Sequence, residues 1–158
     1  MKPVVVFDTG VLFSAVGWKG KPSQCVQFAR DGRIEGVTCA EILDELADKL
    51  GLKLQFTLQE IIRVIGSLQL FLRPVTITGR MEGLCPADPK DDMILECALV
   101  AKASHVVSSD KKHLLALNSF VASISFRQQT LYRWCKQRRH ETQPCGDQKK
   151  RVTVVTLF

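Results

Sequence analysis

Val4-Val5-Val6-Phe7 is an unbroken apolar run, and Asp8 ends it. Four apolar residues in succession suit a strand covered on both faces, not one with a wet side. Strands of that kind belong to parallel sheets, whose crossover connections are helices packed on the faces. The rest of the chain is read against this first strand. A short helix is expected over 11–16, and a loop over 17–21. A second helix opens near Pro22, carries Cys25, Val26, Phe28 and Ala29 at helical spacing, and stops near Gly32. A strand is expected over 34–38. Thr38-Cys39-Ala40-Glu41 then reads as a capping box for a helix whose apolar face is Ile42, Leu43, Leu46 and Leu50. A second box, Thr57-Leu58-Gln59-Glu60, opens a helix to about Phe71, followed by a strand over 74–78.

Residues 79–87 form a loop rich in Gly and Pro. Asp88-Pro89 supplies a cap and a first-turn proline for the next helix, through Ile94, Leu95, Ala98 and Leu99. His105 to Ser109 reads as a strand ending at Asp110. A short helix over 114–117, a strand near 121–125 and a helix from Gln128 to about Arg138 follow. Val152 to Phe158 has strand composition with no clear place. Alternation of strand and helix predicts an α/β fold with a mostly parallel sheet.

The chain has 158 residues, is 46% hydrophobic and 24% charged, and fits one soluble domain. No apolar run reaches the roughly 20 residues of a membrane span. Asp8 arrives too early for the start of the chain to be a signal-peptide core, so the expected location is cytoplasmic. The six cysteines, at 25, 39, 85, 97, 135 and 145, form no CxxC pair, and Cys25, Cys39 and Cys97 fall among apolar residues as buried thiols. His105, His113 and His140 have no metal-pair spacing, which disfavours zinc. The net charge is +6, and its distribution is uneven. Residues 1–126 hold 14 basic and 14 acidic residues, whereas residues 127–158 hold eight and two. The surplus therefore lies in the tail, which is either a solvated extension or a contact surface for RNA or an acidic partner.

Four carboxylates, Asp8, Glu45, Asp92 and Asp110, carry the chemistry. Asp8 and Asp110 follow strands, where open α/β sheets build their sites. Glu41, Asp88 and Asp91 have capping roles available, while Glu45 and Asp92 do not. Carboxylates gathered in one pocket repel each other by about 4 kcal/mol per pair at 4 Å and an effective dielectric near 20. A hard divalent cation relieves that repulsion, and oxygen-only ligands suit Mg²⁺ or Mn²⁺. Such a centre points to hydrolysis of a phosphodiester.

Four stretches in this order resemble the PIN-domain nucleases, most of all the toxin components of bacterial toxin–antitoxin systems. They are Val5 to Ala15 around Asp8-Thr9, Glu41-Ile42-Leu43-Asp44-Glu45-Leu46, Asp88 to Leu99 around Asp91-Asp92, and Val106 to Leu115 around Ser108-Ser109-Asp110. The resemblance covers roughly residues 3–135. It implies a three-layer α/β/α fold with a central parallel sheet of about five strands, a nuclease domain over 1–136 and a basic extension over 137–158. It implies an endoribonuclease dependent on Mg²⁺ or Mn²⁺, with Asp8, Glu45, Asp92 and Asp110 as metal-binding, catalytic acids. Ser108, Asp91 and Thr9 take supporting positions. RNA is the implied substrate, a small antitoxin the implied partner, and a homodimer the implied assembly, with no membrane involved.

One position departs from the family. Members usually carry Asn or another polar residue where this chain has Gly10, so a side-chain hydrogen bond near Asp8 is lost. That loss and the basic tail motivate the alternative of a catalytically weakened RNA- or protein-binding module. A phosphatase with Asp8 as nucleophile, of the haloacid-dehalogenase type, needs a second Asp where Gly10 stands. No GxGxxG follows the first strand, which argues against a dinucleotide site.

Overall fold

The structure is a computed structural model, and it describes residues 1–79, 92–108 and 153–156. The chain runs β1 (Val4–Phe7), α1 (Thr9–Gly17), α2 (Lys21–Arg30), β2 (Glu35–Cys39), α3 (Ala40–Leu54), α4 (Leu58–Gln69), β3 (Leu72–Val75), α5 (Asp92–Val100), β4 (His105–Ser108) and β5 (Thr153–Thr156). The five strands form one sheet in the order β3-β2-β1-β4-β5, and every pairing is parallel. Val5, Val6 and Phe7 have no exposed surface, so both faces of β1 are covered by helices. This is the expected three-layer α/β/α arrangement, and its apolar first strand lies at the centre of the sheet. No helix among the described residues is long and apolar enough to cross a membrane.

The winding of the sheet decides where a site can form. From β1 the chain moves outward to β2 and then β3. It then returns past β1 to β4, so the direction of winding reverses between β1 and β4. In open parallel sheets, crevices open at the carboxyl ends of the strands on either side of such a reversal. Val6 lies opposite Val106 and Phe7 opposite Val107, so β1 and β4 end together. Asp8 N donates to Val107 O at 2.9 Å and extends the pairing by one residue.

Close packing sets the sequence of β2. A Cβ on Gly36 would sit 2.4 Å from Leu72 Cδ2, 3.0 Å from Ala29 Cβ and 3.2 Å from Phe7 Cε2. Only glycine fits where β1, β2, β3 and α2 meet so closely.

Several local expectations need correction. The capping box at Thr38 does not form. Thr38 is part of β2, pairs with Pro74 and is fully buried. Its hydroxyl donates to Cys39 O at 3.4 Å, and Cys39 is the N-cap of α3 with no side-chain cap bond. Glu41 therefore has no role in a box. The second box is present: Thr57 accepts from Glu60 N, and Glu60 Oε2 accepts from Thr57 N at 2.7 Å. The strand expected over 74–78 is Leu72–Val75. The caps at Asp88 and Pro89 and the elements expected over 114–138 lie outside the described residues. The chain's last strand finds its place in β5, where Ser108 lies opposite Thr156. Residues 153–156 thus add an edge strand to the sheet, although they fall in the segment expected to be a separate extension.

Candidate active site

Asp8 is the N-cap of α1, with extended backbone at φ −62° and ψ 147°. That conformation turns the chain from strand to helix within one residue and presents the carboxylate at the switch point of the sheet. Asp8 Oδ1 accepts from Gly10 N at 3.2 Å, and Oδ2 accepts from Ser108 Oγ at 2.6 Å. Ser108 ends β4 and has no exposed surface, so the carboxylate is fixed by both central strands. The supporting role expected of Ser108 has a geometric basis here. The Gly10 bond comes from the backbone N–H, which any residue but proline would supply, and it does not replace the absent side chain.

Thr9 binds the second acid. It is fully buried, and its hydroxyl donates to Glu45 Oε2 at 2.6 Å. Glu45 lies on α3 within the helix face that includes the buried Ile42 and Leu46. Its other oxygen, Oε1, is 2.9 Å from Lys49 Nζ, one turn along the same helix. Asp8 and Glu45 are thus linked through consecutive residues, each carboxylate with both oxygens accepting from a protein donor. A carboxylate oxygen has two lone pairs, so these bonds orient the oxygens and leave capacity for a further ligand.

Asp92 begins α5 and is only 9% exposed. α5 packs against β1, which leads into Asp8, against β2 and β4, and against α3, which carries Glu45. Asp91 and Asp110 lie outside the described residues. Among the described residues, no group of three or more His, Cys, Asp or Glu side chains is arranged to hold a metal ion. The donor set itself suits a hard cation. Asp8 and Glu45 offer only oxygen, and hydroxyl, amide and ammonium donors orient both carboxylates.

Sequence reasoning missed Glu96. It is 3% exposed and accepts from Thr78 N at 2.7 Å, Thr78 Oγ1 at 2.6 Å and Gly79 N at 3.1 Å. A charged residue inside the apolar run Ile94-Leu95-Glu96-Cys97-Ala98 was the available signal, because a buried charge needs partners. Glu96 ties the segment after β3 to α5, one turn beyond Asp92. Lys49 was also overlooked, although its spacing from Glu45 was readable.

A hydrogen bond joins two of the buried thiols, and it lowers the pKa of Cys39 through Cys97. Cys25, Cys39 and Cys97 are free and buried, as expected. A hydrogen bond with Cys39 and burial together push the Cys97 thiol far above its ordinary pKa.

Residues 4–112 match the family model described as PIN domain. A comparison with curated proteins found no match.

Proposed function

Because the chain belongs to the PIN-domain family, whose members are generally nucleases, we propose that it is an endoribonuclease dependent on Mg²⁺ or Mn²⁺. The observation that supports this best is the paired clamp at the switch point. Ser108 and Gly10 hold Asp8, and Thr9 holds Glu45. Asp8, Glu45, Asp92 and Asp110 would hold the cation. When bound, a divalent ion stabilises charge on a phosphoryl oxygen and makes water more acidic.

The residues of the chain supply orientation. Ser108 fixes the Asp8 carboxylate in one plane, and Thr9 does the same for Glu45. Glu96 holds the segment after β3 against α5, so the helix that begins at Asp92 cannot drift from the sheet. Positioning of this kind is a large part of phosphoryl-transfer catalysis, because a misplacement of about 1 Å can cost 100-fold in rate. Asp91, the residue before Asp92 in the chain, would be an accessory acid. In the cell the protein would act as the toxin of a toxin–antitoxin pair, as a homodimer restrained by a small antitoxin. The alternative of a weakened binding module rests on Gly10 and the basic tail, and RNA retention without turnover would favour it.

The test is cleavage of RNA by the purified chain in Mg²⁺ or Mn²⁺, beside Asp8→Asn and Asp92→Asn. Loss of about 100-fold or more in both variants, with none of the activity surviving a chelator, is expected. Equal cleavage by wild type and variants would sink the assignment.

A further inference from the structure

The acid site continues into a basic and aromatic strip along α3 and α1. Glu45, Lys49 and Lys53 recur every four residues, so they share one helix face. From Glu45 to Lys53 that face extends about 12 Å along the axis. Lys49 Nζ is bonded to Glu45, at the edge of the acid site. Lys53 Nζ lies 5.8 Å from the centre of the Phe13 ring on α1. The Phe13 ring is 5.7 Å from that of Trp18, tilted by 58°. Trp18 is 58% exposed, well beyond what a core role would leave.

Each part alone has a plain explanation. A Glu–Lys pair at this spacing is common on helices and contributes only about 0.3–0.5 kcal/mol. Single exposed aromatics are ordinary surface features. Together they form a row that starts at a catalytic carboxylate, continues through two ammonium groups and ends on an open indole. Phosphates pair with ammonium groups, and unpaired bases stack on exposed aromatic rings. A duplex hides its base faces and gives the indole nothing to stack on.

We propose that Lys49, Lys53, Phe13 and Trp18 form a track for the single-stranded RNA that flanks the bond to be cut. Lys49 and Lys53 take successive phosphates, and Trp18 stacks on a base at the far end of the track. This deepens the ribonuclease reading and rests on it for the direction of the strand, which enters the acid site beside Glu45.

The test measures binding apart from cleavage. A fluorescein-labelled oligouridylate is titrated with the full chain in EDTA, and anisotropy is followed over a series of salt concentrations. Trp18→Ala is expected to weaken binding by about 5- to 100-fold, and Trp18→Phe to retain most of it. Lys49→Gln with Lys53→Gln should reduce the slope of log K against log salt by about 1.4, near 0.7 for each lost phosphate contact. An RNA duplex of the same length should bind more weakly than the single strand. Circular dichroism checks that each variant is folded. If folded variants bind like wild type, the track is overturned. If wild type fails to bind the oligonucleotide, the proposal is equally overturned. Wild-type binding that depends on these residues, without cleavage in Mn²⁺, would refute the nuclease reading and leave the track standing.

Discussion

Asp8 and Glu45 show how single atoms set the site. Ser108 is the donor on which most rests, since it is buried and bonds one oxygen of Asp8. Ser108→Ala should destabilise the fold by about 1–3 kcal/mol, the range for a lost hydrogen bond to a charged group, and urea unfolding would measure it. His105 titrates at the other end of β4. Burial holds its pKa below the ordinary value near 6.5. Ser104 Oγ donates to Val4 O and lies 2.8 Å from His105 Nδ1, so Nδ1 carries the proton of that contact and donates it to Oγ. As pH falls below about 6.5, the unfolded chain takes up this proton before the folded one. Stability is therefore full above that pH and is lost as pH falls through the lower folded pKa. Thermal melts between pH 7.5 and 5 should show that loss, and His105→Gln should flatten it. At this scale the sequence set Glu41 aside for a capping box that does not form, so the contrast with Glu45 on the same helix does not rest on capping. The sequence marked Glu96 only as a charge in an apolar run, because its partners Thr78 and Gly79 lie 18 and 17 residues away and meet it only in the folded chain.

Elements were legible where local chemistry decides and illegible where sheet pairing overrides it. Thr57 and Glu60 begin a helix at the surface, so nothing competes with their box. Thr57→Ala should cost about 1 kcal/mol in a chemical denaturation experiment. Thr38 and Glu41 have the same spacing, yet pairing with β3 draws Thr38 into the sheet, and its hydroxyl bonds to Cys39 O. β3 was misplaced for a related reason. Its residues Leu72 and Arg73 lie just beyond a helix, and only their register with Gly36 and Val37 makes them strand. Gly36 is the residue to probe. Gly36→Ala forces a methyl group against Leu72, Ala29 and Phe7 and should destabilise the fold by about 1–3 kcal/mol, read as a lower unfolding midpoint.

For the whole molecule, the apolar first strand foretold the architecture. A strand buried on both faces demands a parallel sheet with helices on each side, and β1 sits at its centre. What no local pattern could reveal was the pairing of β4 with residues 153–156. Removal of residues 137–158 should expose the edge of β4, lower the melting temperature and promote self-association, detectable by light scattering. The reversal of winding between β1 and β4 brings Asp8 and Ser108 together from 100 residues apart. The proposed nuclease activity depends on that crevice holding a divalent cation. Calorimetric titration of Mn²⁺ into the full chain, beside Asp8→Asn and Glu45→Gln, tests this most directly. Saturable binding by wild type, weakened about tenfold or more in each folded variant, is the predicted result. Indistinguishable isotherms for the three proteins, or no binding by wild type, would contradict it.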